Sequence, residues 1–67
     1  MAAELTKDDR NNVILLMVFR IKYMGSCHDI SIDLIQNGIS PKLVMMLENT
    51  AKNYHDTHPN FTPIPLF

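Results

Sequence analysis

The stretch that decides the fold covers residues 6–25 and reads TKDDRNNVILLMVFRIKYMG. Thr6 is a residue type that caps helix N-termini, and Asp9 stands three positions later, as in a capping box. Gly25 can adopt the left-handed conformation that ends many helices. Between these signals, apolar residues recur at the spacing of one buried helical stripe: Val13, Ile14, Met17, Ile21 and Met24. The pattern predicts a helix over residues 7–24.

The same helix carries more apolar side chains than one stripe needs. Those outside the stripe are Leu15, Leu16, Val18 and Phe19. A helix that is apolar nearly all round is normally buried on more than one side. Two further short helices cannot cover it completely, so the surplus predicts contact with a partner protein. We take Leu15, Leu16 and Phe19 as candidate partner-binding residues.

A second helix signal begins at the dipeptide Ser40-Pro41. Ser40 suits the N-cap position, and Pro41 suits the first helical position because its missing N–H would be unpaired there. Ile39 and Val44 occupy the two positions of a hydrophobic staple. The stripe that follows has helical spacing and consists of Leu43, Val44, Leu47, Ala51 and Tyr54. We predict a helix over residues 41–54.

Methionine is common in this chain, with five in 67 residues. Met17 and Met24 fall in the first predicted stripe, so we expect both in the core. Met45 and Met46 fall beside the stripe of the helix over residues 41–54. Flexible methionine side chains are frequent on adaptable binding surfaces. We therefore expect Met45 and Met46 at the surface and add them to the candidate partner-binding residues.

The middle segment, residues 29–37, has two interpretations. Apolar and polar residues alternate from Ile30 to Leu34, and the Asn-Gly pair that follows is typical of a β-hairpin turn. The matching strand would have to include Pro41, which cannot donate a hydrogen bond to a sheet. A helix that ends at Gly38 is therefore favoured, and its inward-facing residues would be Ile30, Leu34 and Ile35.

Residues 55–67 form a different kind of segment, the tail. Prolines at positions 59, 63 and 65 disfavour a helix and favour an extended or polyproline-like chain. The tail is also apolar, through Phe61, Ile64, Leu66 and Phe67. It either folds back on the bundle or forms a short docking motif, and the sequence leaves both open. The predicted fold class is all-α: a small three-helix bundle over residues 1–54 with an extended Pro-rich C-terminal tail.

The size of the chain favours a partner. Natural domains of fewer than about 70–80 residues usually need a disulfide, a metal or a partner besides their core. The single cysteine, Cys27, excludes an internal disulfide. We expect a partner protein, with an obligate hetero-complex as one form of it. One free thiol and no export signal favour a reducing, intracellular compartment.

Charge and hydropathy argue against two other classes of partner. Six Lys and Arg residues stand against seven Asp and Glu residues, so no basic excess exists to neutralise nucleic-acid phosphates. The longest apolar run, residues 13–19, is far shorter than the ~18–20 residues that a membrane-spanning helix needs. We expect binding neither to nucleic acid nor to a membrane.

Residue types that carry chemistry are few. Zinc could be held by Cys27, His28, His55 and His58, but the spacing lacks the paired Cys-x2-Cys and His-x3–5-His pattern of small zinc domains. Cys27 and His28 are adjacent, and adjacent residues rarely meet as a nucleophile and its base. We predict no catalysis, no metal and no cofactor.

Short motifs lie along residues 13–51. They are Val18-Phe19-Arg20-Ile21, Gly25, His28, Ile30-Ser31-Ile32, Asn37-Gly38-Ile39-Ser40-Pro41, Val44 and Leu47. Together they resemble the MOZART family of mitotic-spindle organising proteins, which are very small helical proteins. The resemblance implies binding to helical N-terminal extensions of γ-tubulin complex proteins, and a role in recruiting or activating the ring complex that nucleates microtubules. It also implies a cytoplasmic location, at microtubule-organising centres or spindle poles.

Two other classes of small helical protein remain as alternatives. A ubiquitin-associated-like domain is equally small and binds through an apolar loop-and-helix surface. A helix-turn-helix DNA binder would place residues 41–54 in the major groove, but that helix carries only Lys42 and Lys52 as basic residues. The DNA binder is the less favoured of the two.

Overall fold

The computed structural model describes residues 5–62 and contains three helices within them. Helix α1 spans Lys7–Met24, α2 spans His28–Gln36 and α3 spans Pro41–Thr57. The predicted all-α three-helix bundle is confirmed, and the hairpin interpretation of the middle segment is wrong. None of these helices has the length and apolarity to cross a membrane.

Both ends of α1 are fixed by the residues that the sequence predicted. The backbone N–H of Asp9 donates to Thr6 Oγ1 at 3.1 Å, which satisfies one of the unpaired donors of the first turn. At the other end Gly25 adopts a φ of +81° and its N–H donates to the Ile21 carbonyl at 3.1 Å. A left-handed residue at this position ends the helix and turns the chain toward α2.

Helix α2 begins and ends one residue earlier than predicted. Its first turn is held by Ser26 Oγ, which accepts from the His28 N–H at 3.1 Å. The one buried polar side chain of the helix, Ser31, donates to the Cys27 carbonyl at 3.4 Å. Gly38, at a φ of +92°, leads the chain out of α2 and toward α3.

Helix α3 differs from its prediction at both ends. Pro41 is its first residue, but Ser40 makes no side-chain capping hydrogen bond. The helix continues to Thr57, three residues beyond the predicted end at 54, because the first proline of the tail comes only at position 59. Thr57 Oγ1 also donates to the Asn53 carbonyl at 2.8 Å in the last turn.

The core lies where α3 packs against both α1 and α2. Its buried members are Met17, Val18, Cys27, Ile30, Leu47 and Ala51. Ile39 and Val44, the two positions of the predicted staple, are buried as well.

Two of the residues in α1 lie on the opposite side from their prediction. Val18 was expected outside the buried stripe, yet its side chain is 1% exposed, whereas Met24, expected in the core, is 66% exposed. The reason is the rotation of α1 about its axis. The side that meets α3 runs through Ile14, Val18 and Ile21, and Met24 stands at the turn, where the chain leaves the helix.

The tail folds back in its first part. Phe61 packs against the core, and its ring lies edge-on to Tyr54 with centroids 5.1 Å apart. Lys22 Nζ donates to the Phe61 carbonyl at 2.6 Å. Of the two expectations for the tail, fold-back is confirmed for Phe61, while residues 63–67 lie outside the described part of the chain.

Candidate protein-interaction surface

An apolar row runs along α1 next to the side that packs against α3. We call it the outer face, and it consists of Leu15, Leu16, Phe19 and Tyr23. The first three are partly buried, and Tyr23 is 53% exposed. Leu16 also touches the edge of the core, so the outer face is continuous with the folded interior. Nothing within residues 5–62 covers it fully.

The two aromatic residues of the outer face form a pair. The ring centroids of Phe19 and Tyr23 are 4.9 Å apart and the rings are tilted by 51°. Such a pair presents a broad, stiff apolar surface with one polar hydroxyl. Sequence reasoning missed Tyr23, although its spacing of four residues from Phe19 was the signal that places both on one side of a helix.

Cationic side chains flank the outer face and are already held by contacts within the chain. Arg20 Nη1 lies 3.3 Å from Asp29 Oδ2, an ion pair that joins α1 to α2. Lys22 Nζ, bound to the Phe61 carbonyl, also lies 5.8 Å from the centre of the Tyr23 ring. Arg20 Nε is buried and has no hydrogen-bond partner among the described residues. These contacts leave the centre of the outer face apolar.

Met45 and Met46 are both on the surface of α3, as expected, with exposures of 62% and 59%. They point to different sides, because consecutive helical residues are separated by about 100°. The five residues predicted to bind a partner therefore do not form one patch. Leu15, Leu16 and Phe19 belong together on α1, whereas the two methionines extend the apolar surface in two further directions.

Two grooves lie in the described surface of the bundle. The first, which we call the α1–α3 groove, has a volume of about 360 Å³ and is lined by Asn11, Ile14, Leu15, Val18, Thr50 and Tyr54. The second, the turn groove, has a volume of about 210 Å³ and lies between the α1–α2 turn and α3. Its lining residues are Ile21, Gly25, Ser26, Cys27, His28, Glu48, Asn49 and Lys52.

Comparison of the chain with known protein families, with curated proteins and with solved structures finds no match. The resemblance to the MOZART family therefore stays a prediction from the sequence motifs.

The turn groove contains the one arrangement in the described chain that resembles reactive chemistry. Cys27 lines it next to His28, and Glu48 of α3 lines it as well. Burial raises the pKa of the Cys27 thiol above its usual range, and the negative charge of Glu48 adds to the effect. A reactive cysteine needs the opposite shift, because the thiolate is the nucleophile. The groove therefore holds a protonated, structural thiol at neutral pH.

The remaining histidines are engaged in the last turns of α3. His58 stacks on Tyr54 with ring centroids 4.1 Å apart, and His55 Nδ1 lies 3.4 Å from Asp56 Oδ1. Across residues 5–62, no three side chains of His, Cys, Asp or Glu come together as a set of metal ligands would. What the described surface shows instead is exposed apolar area, at Tyr23, Met24, Met45 and Met46 among others.

Proposed function

We propose that this chain is a small non-catalytic adaptor that binds a helical segment of a larger protein through the outer face of α1. The observation that carries the proposal is that α1 is apolar on two sides but fully buried on only one of them. Met17 and Val18 are 0% and 1% exposed, whereas Phe19 is only partly buried and Tyr23 is exposed. A helix with apolar residues on both sides is typical of an element enclosed by neighbours on both sides.

The outer face has enough apolar area for useful affinity. Complete burial of a Leu or Phe side chain is worth about 1.5–3 kcal/mol relative to exposure. Leu15, Leu16 and Phe19 are already partly buried, so about 1 kcal/mol remains for each on binding. The Phe19–Tyr23 pair supplies the aromatic part of the face, and aromatic residues commonly dominate binding energy.

The resemblance to the MOZART family supplies the partner in this proposal. The partner would be the helical N-terminal extension of a γ-tubulin complex protein, and the chain would help to recruit or activate the ring complex that nucleates microtubules. A helical extension suits the outer face, because an amphipathic helix can lay its apolar side along the row of Leu15, Phe19 and Tyr23, which recur every four residues.

A calorimetric titration of the chain with a recombinant N-terminal fragment of a γ-tubulin complex protein tests the proposal. Phe19→Asp should weaken binding by at least about 30-fold, or about 2 kcal/mol, because it removes about 1 kcal/mol of apolar burial and also places an unpaired charge in the interface. Tyr23→Asp is the companion variant, because Tyr23 is exposed enough for the substitution to leave the fold intact. Ile35→Asp, in an exposed position of α2, is the matched control and should change the affinity less than about threefold, the range of neutral surface changes.

Circular dichroism of each variant separates loss of binding from loss of fold. If the wild-type chain does not bind the fragment, the assignment of the partner is wrong. If it binds and both outer-face variants bind equally well, the assignment of the surface is wrong.

A second candidate function is that of a ubiquitin-associated-like interaction domain. It is favoured by the exposure of one apolar side chain at the α1–α2 turn, Met24, and of one on a helix, Met45 of α3. Glu48 and Asn49 of the turn groove lie one helical turn after Met45, so this methionine borders the groove. An NMR titration with ubiquitin tests it: shifts confined to the turn groove, lost in Met45→Asp, would favour this function over the first.

A further inference from the structure

The two ends of α1 carry carboxylates and cations in different places. Asp8 and Asp9 stand in the first turn, whereas Arg20 and Lys22 stand near the end of the helix. Asp8 is exposed and Lys22 partly buried, and neither forms an ion pair within residues 5–62. The apolar outer face lies between these two ends of the helix.

Asp8, Leu15 and Lys22 form one row along α1. They are spaced seven residues apart, and a helix drifts by only about 20° over seven residues. The two basic residues near Asp8, Lys7 and Arg10, lie off this row, because each helical residue is rotated by about 100° from the one before it. The row therefore has a carboxylate at one end, an ammonium group at the other and Leu15 midway between them.

A row of this kind is complementary to itself when two copies run antiparallel. Leu15 of one copy then meets Leu15 of the other, and Asp8 of each copy stands opposite Lys22 of the other copy. Two-fold symmetry repeats every contact, so the arrangement gives two ion pairs. In a parallel arrangement Asp8 would face Asp8 and Lys22 would face Lys22, and the like charges would repel each other.

We propose that the outer face of the free chain binds the outer face of a second copy, with the two α1 helices antiparallel and centred on Leu15. The apolar side chains of both outer faces then lie in the contact, and the charged ends of the row set its orientation. Lys22 can take part while it holds the tail. Its ammonium group has three N–H donors, and the bond to the Phe61 carbonyl uses one of them.

The proposed contact is small. The distance from Asp8 to Lys22 is about 21 Å along the helix at 1.5 Å per residue, and the contact is one helix wide. Contacts smaller than the interfaces of stable complexes are typical of weak, transient association. The dimer would therefore dissociate on dilution and leave the outer face open to a larger protein. The inference does not rest on the proposed function, because it concerns the chain alone.

Analytical ultracentrifugation of the full chain tests the association. The average mass should rise from the 7.7 kDa of one copy toward twice that value as the concentration increases from about 10 μM to about 1 mM, the range in which weak complexes form. A chain that stays monomeric at about 1 mM would overturn the inference.

Charge reversal tests the antiparallel orientation. Asp8→Lys and Lys22→Asp should each weaken the association by at least about tenfold, because each places like charges opposite one another. The double variant restores opposite charges in an antiparallel pair and should recover the association. It also lacks the bond from Lys22 to the Phe61 carbonyl, so the recovery cannot come from the tail. Single variants that associate like the wild type, or a double variant as weak as the single ones, would overturn the antiparallel pairing.

Asp33→Lys and Lys42→Asp are the matched controls for net charge. Both positions are exposed, the first on α2 and the second on α3. Each control should leave the dissociation constant within about twofold of the wild-type value, the range of neutral surface changes. Circular dichroism checks that every variant is folded. Equal losses in the controls and in the α1 variants would show that net charge governs the association, which overturns the inference.

A mixed sample of isotope-labelled and unlabelled wild-type chain gives a readout without any substitution. Nuclear Overhauser effects between copies should connect the Leu15 methyl groups of one copy with Leu15 or Phe19 of the other. Contacts between copies through Met45 or Met46 instead would place the interface on α3 and overturn the inference. None of these samples contains a γ-tubulin complex protein, so their outcome is separate from that of the proposed function.

Discussion

Replacing Met17 and Met24 with alanine, one at a time, tests the rotation of α1 about its axis. The two residues have the same chemistry and lie in the same helix, yet the first is 0% and the second 66% exposed. Substituting alanine for a fully buried methionine costs about 2–5 kcal/mol, through lost burial and the cavity left behind. A chain of 67 residues has a free energy of unfolding of about 3–10 kcal/mol, so Met17→Ala removes a large part of it.

The expected result is a large difference between two otherwise equivalent variants. Met17→Ala should lower the melting temperature by at least about 8 °C, since 1 kcal/mol corresponds to about 4–8 °C in a domain of this size. Met24→Ala should change the free energy of unfolding by less than about 0.5 kcal/mol. The helix propensity gained on going from Met to Ala is the same in both and cancels in the comparison.

Thermal and urea unfolding followed by circular dichroism measure both variants. Met17→Leu is the conservative control and should cost less than about 1.5 kcal/mol, because the volume is nearly kept. Equal losses at Met17 and Met24, or a larger loss at Met24, would refute the rotation described above. Either result would restore the stripe that the sequence pattern alone predicts.

Three further predictions concern the turns and the buried thiol. Thr6→Ala should lower the free energy of unfolding by about 1 kcal/mol, because the Thr6 side chain makes a capping hydrogen bond. Ser40→Ala should change it by less than about 0.5 kcal/mol, because Ser40 makes none. Equal losses of the two variants in urea unfolding would contradict this. Gly25→Ala should cost about 1–2 kcal/mol from backbone strain alone, since no atom lies within 4 Å of the added Cβ, and Gly25→Asn should cost less. The raised pKa of the Cys27 thiol means that its contribution to stability is complete below the ordinary thiol pKa and is lost as the pH rises through the higher pKa of the folded state. The melting temperature should therefore fall between pH 8 and 10 more steeply in the wild-type chain than in Cys27→Ala, and parallel curves would show that the thiol is not involved.

The sequence predicts the helices well where the signals are local. Thr6 and Gly25 mark the ends of α1 through their own backbone requirements, which hold whatever the rest of the chain does. Pro41 in the same way fixes the start of α3, because its ring requires the φ of a first helical residue. The end of α3 is not marked in this way, because residues 55–57 neither favour nor break a helix strongly. The helix therefore continues until shortly before Pro59, the first proline of the tail.

The sequence predicts less well which side of each helix is buried. Val18 and Met24 exchange their expected positions, and Ile35, expected to face inward, is 44% exposed. Burial of these residues depends on the direction from which α3 approaches, and nothing within one helix encodes that direction. Because the middle of α1 is apolar nearly all round, several rotations bury similar area, and the neighbouring helix decides among them.

The candidate partner-binding residues show the same division. The exposure of Met45 and Met46 on α3 could be predicted, because both lie beside the apolar stripe of that helix. Their arrangement was not predicted. The adjacent methionines point to two sides, and the prediction left out Tyr23, although its spacing of four residues from Phe19 places it on the outer face. Whether a partner covers this surface stays a prediction.

Helix α2 has few buried side chains, and this affects how the bundle unfolds locally. Within the helix itself only Ile30 and Ser31 are buried, whereas α3 buries Val44, Leu47 and Ala51. Local opening free energies follow the amount of buried contact, so the cooperative unit of highest stability is the α1–α3 pair. We therefore expect helix α2 to open as a separate unit while the α1–α3 pair stays intact. Hydrogen exchange should then be faster at the backbone amides of α2 than at those of α1 and α3.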